Sequence, residues 1–332
     1  MTSPNKTVGR AMFILLATAA LAAADTTPPV PGTVNYVEGQ VTLNGENLPA
    51  PNAGGVAVET NQVLDTAQGK AELLLSPGVF LRLGDEAELR MVSPGPPAIA
   101  VEMVHGDSIL EVDQLLKGVG LSILMDGATT YIAKQGLYVF GGDQRFIGVL
   151  DGEATVHQGS AHVTLKKARG AMLISGQRLK SQKLDLSVTE RHPLYIWSAL
   201  RSADLAQANI QAAQAILAFG GPYDEGWYWD ASLDCFDFVP VDGIFYNSFG
   251  WGFYSPVTVS KGPHPVRHPL PIHAPIKTAR SASLGLASNG RATSSAPARS
   301  GGSNSGHTGG GGGGFSGGGG SHMGGGGGGG RR

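Results

Sequence analysis

Short β-prone runs separated by turn residues fill residues 33 to 186 and limit what this chain can fold into. The runs recur roughly every 8 to 12 residues, with Gly, Asp or Asn between them, which is typical of a sandwich, a barrel or a solenoid. Several runs alternate in polarity, as in residues 79–83 and 109–113, which predicts one buried and one solvent-facing side. The sequence therefore predicts a mainly β, hairpin-rich domain over residues 25–188, built as a sandwich or a short solenoid-like stack.

A weak repeat recurs within this region. Three segments share an apolar residue, a polar residue, a glycine and another polar residue before a new strand, with the glycine at Gly39, Gly106 and Gly152. Glycine suits a turn that needs positive φ between two strands. The three glycines are 67 and 46 residues apart, which is too irregular for a strict solenoid. Duplicated hairpins and chance similarity between hairpin turns both remain open as explanations.

The chain changes character near residue 190. Residues 194–219 are rich in Ala, Leu, Gln and Ile and contain no Gly or Pro, so they favour a helix. Pro193 suits the first helical turn, and Gly220-Gly221-Pro222 ends the helix. We predict one long helix within residues 189–221, with a break near Arg201-Ser202 as the alternative. The side chains expected to face the β domain are Trp197, Leu200, Leu205, Ile216 and Phe219.

Residues 222–258 form an aromatic-rich segment, which we predict to be a small lobe of short hairpins. It holds 12 aromatic residues, concentrated in two groups around an acidic middle. Tryptophan rings could stack on the faces of sugars, with Asp230 or Asp242 accepting hydrogen bonds from sugar hydroxyls. Alternatively the rings form the core of the lobe, because aromatic side chains bury large areas. The candidate ligand or partner residues are Trp227, Tyr228, Trp229, Asp230, Trp251 and Phe253.

The N-terminus has the features of a secretory signal peptide. Lys6 and Arg10 precede an apolar run that ends in Ala22-Ala23-Ala24, a small-residue cleavage site. We expect cleavage after residue 24, with an uncleaved anchor as the alternative. No later stretch approaches the roughly 18 apolar residues of a membrane span. The protein is therefore expected to be periplasmic or secreted, without a transmembrane span after cleavage.

Charge and complexity both change toward the C-terminus. All 26 Asp and Glu lie within residues 25–260, against 14 Lys and Arg, whereas residues 261–332 carry 8 Lys and Arg and no acid. The acidic body argues against nucleic acid as a partner, because phosphates require a clustered basic surface. Residues 259–332 are rich first in Pro and His and then in Gly. Such a composition predicts a disordered tail.

Cys235 is the only cysteine, so no disulfide can form within the chain. An exported thiol could pair with another chain. The alternative is a small buried apolar residue beside Phe236, since free cysteine is often buried. The stability of the chain must in either case come from a large core, for which the region before Gly220 is long enough.

Residues capable of chemistry do not form a catalytic pattern. The only close histidine cluster along the chain is His264, His268 and His273, which lies among prolines without other ligands. The acidic residues of segment 85–88 fit a solvated hairpin edge. No phosphate-binding loop or nucleophile elbow is present. We therefore expect no enzyme activity, no cofactor and no metal site.

Parts of the β region resemble the FecR domain of bacterial envelope proteins. The resemblance is carried by Gly39–Leu43, Ala71–Gly84, Val101–Gly106, Gly136–Phe140 and Gly152–Val156. It implies an extracytoplasmic β domain that binds a protein or an envelope component. No catalytic residues follow from it, because the family has no catalytic set.

Later segments resemble exported FecR-domain proteins of unknown function. These segments are residues 194–202, 226–230 and 249–253. FecR proteins proper relay signals through a cytoplasmic segment that regulates a sigma factor, whereas only ten residues precede the apolar run here. We therefore expect a free, non-enzymatic envelope module that binds an envelope protein or cell-wall polymer, with a role in envelope sensing. The alternative is a carbohydrate-binding protein that uses residues 223–256, and the sequence leaves the oligomeric state open.

Overall fold

The computed structural model describes residues 29–50 and 55–261. The predicted signal peptide, residues 1–24, and the predicted disordered tail beyond residue 261 lie outside this range. Within it, no helix is both long and apolar enough to cross a membrane.

The described residues form strands first and then a mixture of helices and short strands. The first seventeen strands are β1 (Thr33–Gly39), β2 (Thr42–Leu43), β3 (Glu46–Asn47), β4 (Val63–Thr66), β5 (Gly69–Ser76), β6 (Val79–Leu83), β7 (Ala87–Ser93), β8 (Ala98–His105), β9 (Asp107–Val112), β10 (Gly120–Met125), β11 (Ala128–Ile132), β12 (Gly136–Gly141), β13 (Phe146–Asp151), β14 (Glu153–Gln158), β15 (Ala161–Lys166), β16 (Arg169–Met172) and β17 (Gln182–Lys183). They are followed by α1 (Leu186–Thr189), α2 (Pro193–Phe219), β18 (Gly226–Asp230), β19 (Cys235–Val239), β20 (Ile244–Tyr246), β21 (Gly252–Tyr254) and α3 (Pro256–Val259).

Two large sheets face each other across one apolar core. The eight-stranded sheet has the order β1-β5-β6-β9-β12-β13-β16-β17, and the nine-stranded sheet has the order β15-β14-β11-β10-β8-β7-β4-β2-β3. Alternate residues of both sheets meet between them, including Leu73, Leu81 and Leu110 from one sheet and Met103 and Ile123 from the other. Among the described strands of these two sheets, neighbours pair antiparallel except β8 with β10, which pair in parallel. The prediction of a mainly β fold with one long helix is confirmed.

The repeated glycines mark the places where the chain passes from one sheet to the other. Gly39, Gly106 and Gly152 have φ angles of 75°, 74° and 96°, as expected for positive-φ turns. They do not join hairpins, however, because the strands on either side of each glycine belong to different sheets. A Cβ atom on Gly106 would lie 2.4 Å from the Cα of Ala87. Glycine is thus required at this corner both by backbone conformation and by space.

A third layer covers the outer face of the eight-stranded sheet. Helix α2 and the strands β18 to β21 pack there, around two further apolar clusters that include Phe80, Phe146 and Phe238. The prediction that one side of residues 79–83 and of residues 109–113 faces solvent is therefore wrong, since Arg82, Glu111 and Asp113 are buried. Strict alternation in the sequence cannot distinguish a solvated face from one that is covered by another polar layer.

Helix α2 is continuous through Arg201 and Ser202, so the alternative of a broken helix is not observed. The His192 side chain caps its start by accepting a hydrogen bond from the backbone N–H of Leu194, and Gly220 ends it in the left-handed conformation. Its buried face consists largely of small and polar residues: Ser198, Ala199, Arg201, Ser202, Ala206, Ala208, Asn209, Ala212 and Ala213.

The predicted apolar face of α2 is only partly correct. Leu205 is fully buried, and Trp197 and Ile216 are partly buried, whereas Leu200 and Phe219 are 50% and 90% exposed. The covered sheet carries large charged side chains at this position, so small helical residues allow the helix to approach it closely.

Substituting Gly106 with alanine should destabilise the fold by about 2 to 4 kcal/mol, since positive-φ strain and overpacking both contribute. Gly127→Ala is the matched control, because Gly127 has a φ of 70° but nothing within 4 Å of its Cβ position. It should cost about 1 kcal/mol. Urea denaturation of both variants measures the difference, and equal losses would contradict the role of crowding at the corner.

Candidate binding site

A buried ionic network occupies the outer face of the eight-stranded sheet. Arg82 on β6 donates from Nε to Glu72 Oε2 at 2.7 Å and from Nη1 to Glu111 Oε2 at 2.5 Å. The three side chains are at most 1% exposed. They come from the neighbouring strands β5, β6 and β9, so the sheet register brings them together. The network is therefore a property of the sheet itself.

Helix α2 joins this network through a second arginine. Arg201 donates from Nη2 to Glu72 Oε1 at 3.0 Å, and its guanidinium lies 4.0 Å from the ring centre of Tyr36 on β1. Burial alone would raise the pKa of Glu72, but the charges and hydrogen bonds of Arg201 and Arg82 lower it to about 2. Glu72 thus connects the helix to the sheet as a shared carboxylate.

Two further buried carboxyl groups lie beside the network. Both oxygens of Asp113 and Oδ2 of Asp237 have no hydrogen-bond partner among the described residues. Burial raises the pKa of both groups well above the usual range, assisted at Asp113 by the charge of Glu111 and at Asp237 by that of Asp230. These carboxyl groups therefore hold protons to higher pH than an exposed aspartate does.

Two buried asparagines hold the backbone of the aromatic strands. Asn35 on β1 accepts a hydrogen bond from the N–H of Phe236 and donates to its carbonyl, at 2.8 and 2.9 Å. Asn209 on α2 accepts from the N–H of Tyr254 at 2.6 Å and donates to the carbonyl of Phe238 at 3.0 Å. These side-chain amides thus satisfy buried backbone groups of β19 and β21.

A third asparagine connects the turn between β20 and β21 to the ionic network. Asn247 donates from Nδ2 to Glu111 Oε1 at 2.6 Å, and its Oδ1 accepts from the N–H groups of Phe249 and Trp251. Ser202 on α2 also donates to Glu111 Oε1, at 3.0 Å. The sheet, the helix and the aromatic segment are therefore joined at one carboxylate.

The predicted site residues do not form a flat row of exposed rings. Trp227 and Trp229 pack against the cluster that contains Phe238 and the fully buried Phe253, and Trp251 contacts two clusters. Residues 227–229 and 251 are half-buried. Most of the surface of these rings is therefore covered by other residues, as expected if the rings form the core of the lobe.

Asp230 is occupied within its own turn. Its side chain is nearly buried, and Oδ1 accepts hydrogen bonds from the N–H groups of Ser232 and Leu233. It is therefore placed to stabilise the β18–β19 turn, and it does not project beside an exposed ring.

An open groove of about 320 Å³ lies where the end of α2 meets β18. We call this the aromatic groove, and its principal lining residues are Ala212, Ile216, Phe219, Tyr223, Tyr228 and Trp229. Two predicted residues, Tyr228 and Trp229, thus line it, whereas Trp227 lines a separate cleft with Pro31, Pro77 and Ile99. Strand β18 therefore distributes its aromatic rings between two clefts.

The walls of the aromatic groove are apolar. Its two phenol groups are already engaged, since Tyr223 donates to the carbonyl of Val241 at 2.7 Å and Tyr228 to that of Asp224 at 2.6 Å. Burial raises the pKa of Tyr228. Phe219, at 90% exposure, forms an apolar rim. The groove is thus suited to an apolar ligand.

Sequence reasoning did not place the end of α2 in this site. Phe219 was expected to face the β domain, but it lines the groove from the solvent side. The sequence does contain one indication of this position: Phe219 is the last residue before Gly220, which ends the helix. A side chain there is not covered by a following helical turn.

Cys235 is buried, which agrees with the interpretation as a small core residue. Its Sγ lies 3.7 Å from Arg201 Nη2, and burial raises the thiol pKa to about 12. In this fold the thiol is therefore both inaccessible and protonated.

Comparisons with known proteins found only distant structural likeness. No family model and no curated protein matches the chain. Two crystal structures of a candidate anti-sigma factor from Parabacteroides distasonis ATCC 8503 are 12% and 11% identical, each with a TM-score of 0.34. The matches cover 39% of this chain and 62% and 63% of those chains, so less than two thirds of either is spanned. At this TM-score the likeness supports no argument about function, and the FecR resemblance stays a prediction.

Replacing Arg82 with methionine should destabilise the protein by about 3 to 5 kcal/mol, because the buried Glu111 loses its only arginine partner among the described residues and Glu72 keeps only Arg201. Arg90→Met is the control, since Arg90 pairs with Glu102 at the surface at 3.4 Å. That change should cost less than about 1 kcal/mol. Chemical denaturation measures both, and similar losses would show that the buried network is not a major contribution.

Stability should decrease as the pH rises above about 4, near which aspartate ionises in an unfolded chain. The folded state keeps protons on Asp113 and Asp237 to higher pH, so it binds more protons than the unfolded state in this window. The variant Asp237→Asn should lose less stability than the wild type as the pH rises. The control Asp234→Asn, at an exposed position, should lose as much as the wild type. Unfolding free energies measured from pH 4 to 8 test this, and an unchanged slope in Asp237→Asn would refute the assignment.

Proposed function

We propose that this protein is a non-catalytic binding module of the cell envelope whose aromatic groove takes an extended apolar segment of a partner protein. The observation that carries the proposal is the groove itself, in which aromatic rings converge beside the exposed Phe219. Exposed apolar surface of this kind is typical of sites that bind another chain.

The chemistry of the groove favours an apolar protein segment over a sugar. Sugar recognition needs hydrogen-bonding groups beside an exposed ring face, whereas Tyr223 and Tyr228 already donate to backbone carbonyls. Asp230, the expected acceptor for sugar hydroxyls, accepts hydrogen bonds within its own turn. Burial of apolar side chains is therefore the main interaction available to a ligand here.

The layers beneath the groove hold its walls in place. Asn209 fixes β19 and β21 to α2, and the ionic network fixes α2 to the sheet. A binding surface that is already ordered loses little conformational entropy when a partner binds. This support favours a binding module with a preformed site.

The compartment in this proposal rests on the N-terminal sequence. The signal-peptide features of residues 1–24 favour export, and a partner in the envelope follows from export. The large apolar core and the buried network are suited to a protein that must be stable there without a disulfide. Envelope sensing through the bound partner is the corresponding biological role.

Phe219→Ser should weaken retention of the partner at least tenfold, since burial of a phenylalanine contributes about 1.5 to 3 kcal/mol. The experiment compares immobilised full-length wild type, Phe219→Ser and Leu200→Ser in quantitative capture from envelope extracts. Leu200 is the matched control, because it is exposed on the same helix but does not line the groove. The proposal requires a protein that wild type and Leu200→Ser retain equally and Phe219→Ser loses.

Equal retention by all three proteins would refute the aromatic groove as the binding site. A parallel titration with peptidoglycan fragments distinguishes the carbohydrate alternative. Quenching of tryptophan fluorescence by these fragments, with no protein captured, would replace the protein segment with a sugar ligand.

A further inference from the structure

Three side chains with metal-binding atoms lie in one row on the outer face of the nine-stranded sheet. Asp65 on β4 is directly opposite Glu88 on β7, which is directly opposite His105 on β8. Ligand atoms of the three residues all lie within 4.8 Å of one another. Inward-facing neighbours such as Leu64 and Leu89 are fully buried, so the sheet holds the row in a fixed register.

The imidazole of His105 is oriented as in a metal ligand. Its Nδ1 lies 3.0 Å from the carbonyl oxygen of Glu86, and that oxygen can only accept a hydrogen bond. Nδ1 therefore carries the proton, and Nε2 points toward Glu88, 3.6 Å from its Oε2. Metal-binding histidines commonly donate their second ring N–H to a backbone carbonyl, which fixes the tautomer and the ring orientation.

The two carboxylates of the row have no basic ion-pair partner of the lysine or arginine type among the described residues. Among the described residues, neither Asp65 nor Glu88 forms an ion pair with either type. Glu102, which is on β8 like His105, is by contrast paired with Arg90 at 3.4 Å. Like charges directly opposite each other destabilise a sheet, so the arrangement gains from a cation that binds both carboxylates.

We propose that Asp65, Glu88 and His105 bind a divalent transition-metal ion of the zinc type. One imidazole nitrogen and two carboxylate oxygens suit such an ion, whereas calcium and magnesium prefer oxygen ligands alone. Three protein ligands on a partly exposed surface leave a coordination position for water or for a side chain of another molecule. The three residues lie on the nine-stranded sheet, whereas the aromatic groove lies in the layer that covers the eight-stranded sheet. This site is therefore independent of the proposed function.

Sequence reasoning expected no metal site and considered only histidines close together along the chain. Here the ligands come from three strands and are 23 and 17 residues apart in sequence. Only the sheet register brings them together, which explains why their spacing has no recognisable motif.

Calorimetric titration of the full-length chain with zinc chloride at pH 7 tests the site. The background variant replaces His264, His268, His273, His307 and His322 with glutamine, so that the tail histidines do not contribute. It should bind one zinc ion per chain, and His105→Gln and Glu88→Gln should each weaken binding at least tenfold. His157→Gln is the matched control, since His157 is exposed on the same sheet and stacks on His162 at 5.5 Å.

Cobalt(II) provides a second measurement, because its visible absorption reports nitrogen and oxygen coordination. The spectrum should appear with the background variant and disappear with His105→Gln. Zinc should also raise the melting temperature of the background variant but not that of His105→Gln.

Two outcomes would overturn the proposal. One is the absence of saturable zinc binding to the background variant. The other is binding that survives both His105→Gln and Glu88→Gln. Circular dichroism of each variant confirms that the loss of binding does not come from unfolding.

Discussion

The contact of Arg82 with Glu72 and Glu111 determines how the rest of the molecule is assembled. These charges lie in the middle of a sheet face, and they can be removed from water only if each is paired. The covering layer supplies the remaining partners, including the guanidinium of Arg201 and the amide of Asn247. The position of the outer layer is therefore determined by its polar groups as much as by its apolar ones. One position of helix α2 on the sheet satisfies the buried charges, and shifted positions do not.

This constraint also explains the unusual composition of the helix surface. A helix that packs over large side chains needs small residues at the contact, and Ser198, Ala206 and Ala213 are buried there. Larger apolar residues of the helix lie outside this contact, and Phe219 is at the rim of the aromatic groove. The eight-stranded sheet, helix α2 and the strands β18 to β21 thus share one buried interface, so the groove depends on residues from more than one of them.

Local patterns predict much of this fold and little of its candidate sites. Strand spacing indicates a mainly β domain without distinguishing a sandwich from a short solenoid-like stack, and Pro193 and Gly220 mark the ends of the long helix. Both signals depend on nearby residues. The burial of Glu111 and Asp113 has no such signal, since an alternating strand looks the same beneath water and beneath another layer. The row of Asp65, Glu88 and His105 is similarly invisible, because it depends on pairing between strands. The aromatic segment was recognised, but the division of its rings between two clefts depends on the twist and docking of β18.

The order of strands in the two large sheets has a consequence for how the chain folds. Each new strand pairs with one that is at most four strands earlier, so both sheets can grow in the same direction as the sequence. Such growth avoids the closure of very long loops, which slows folding in many β proteins. A chain that folds from its N-terminus onward adds each strand to an existing edge or neighbour. The charges of Glu72, Arg82 and Glu111 would stay hydrated on the outer face of the eight-stranded sheet until the helix covers them, so this part of the face is the least prone to early association.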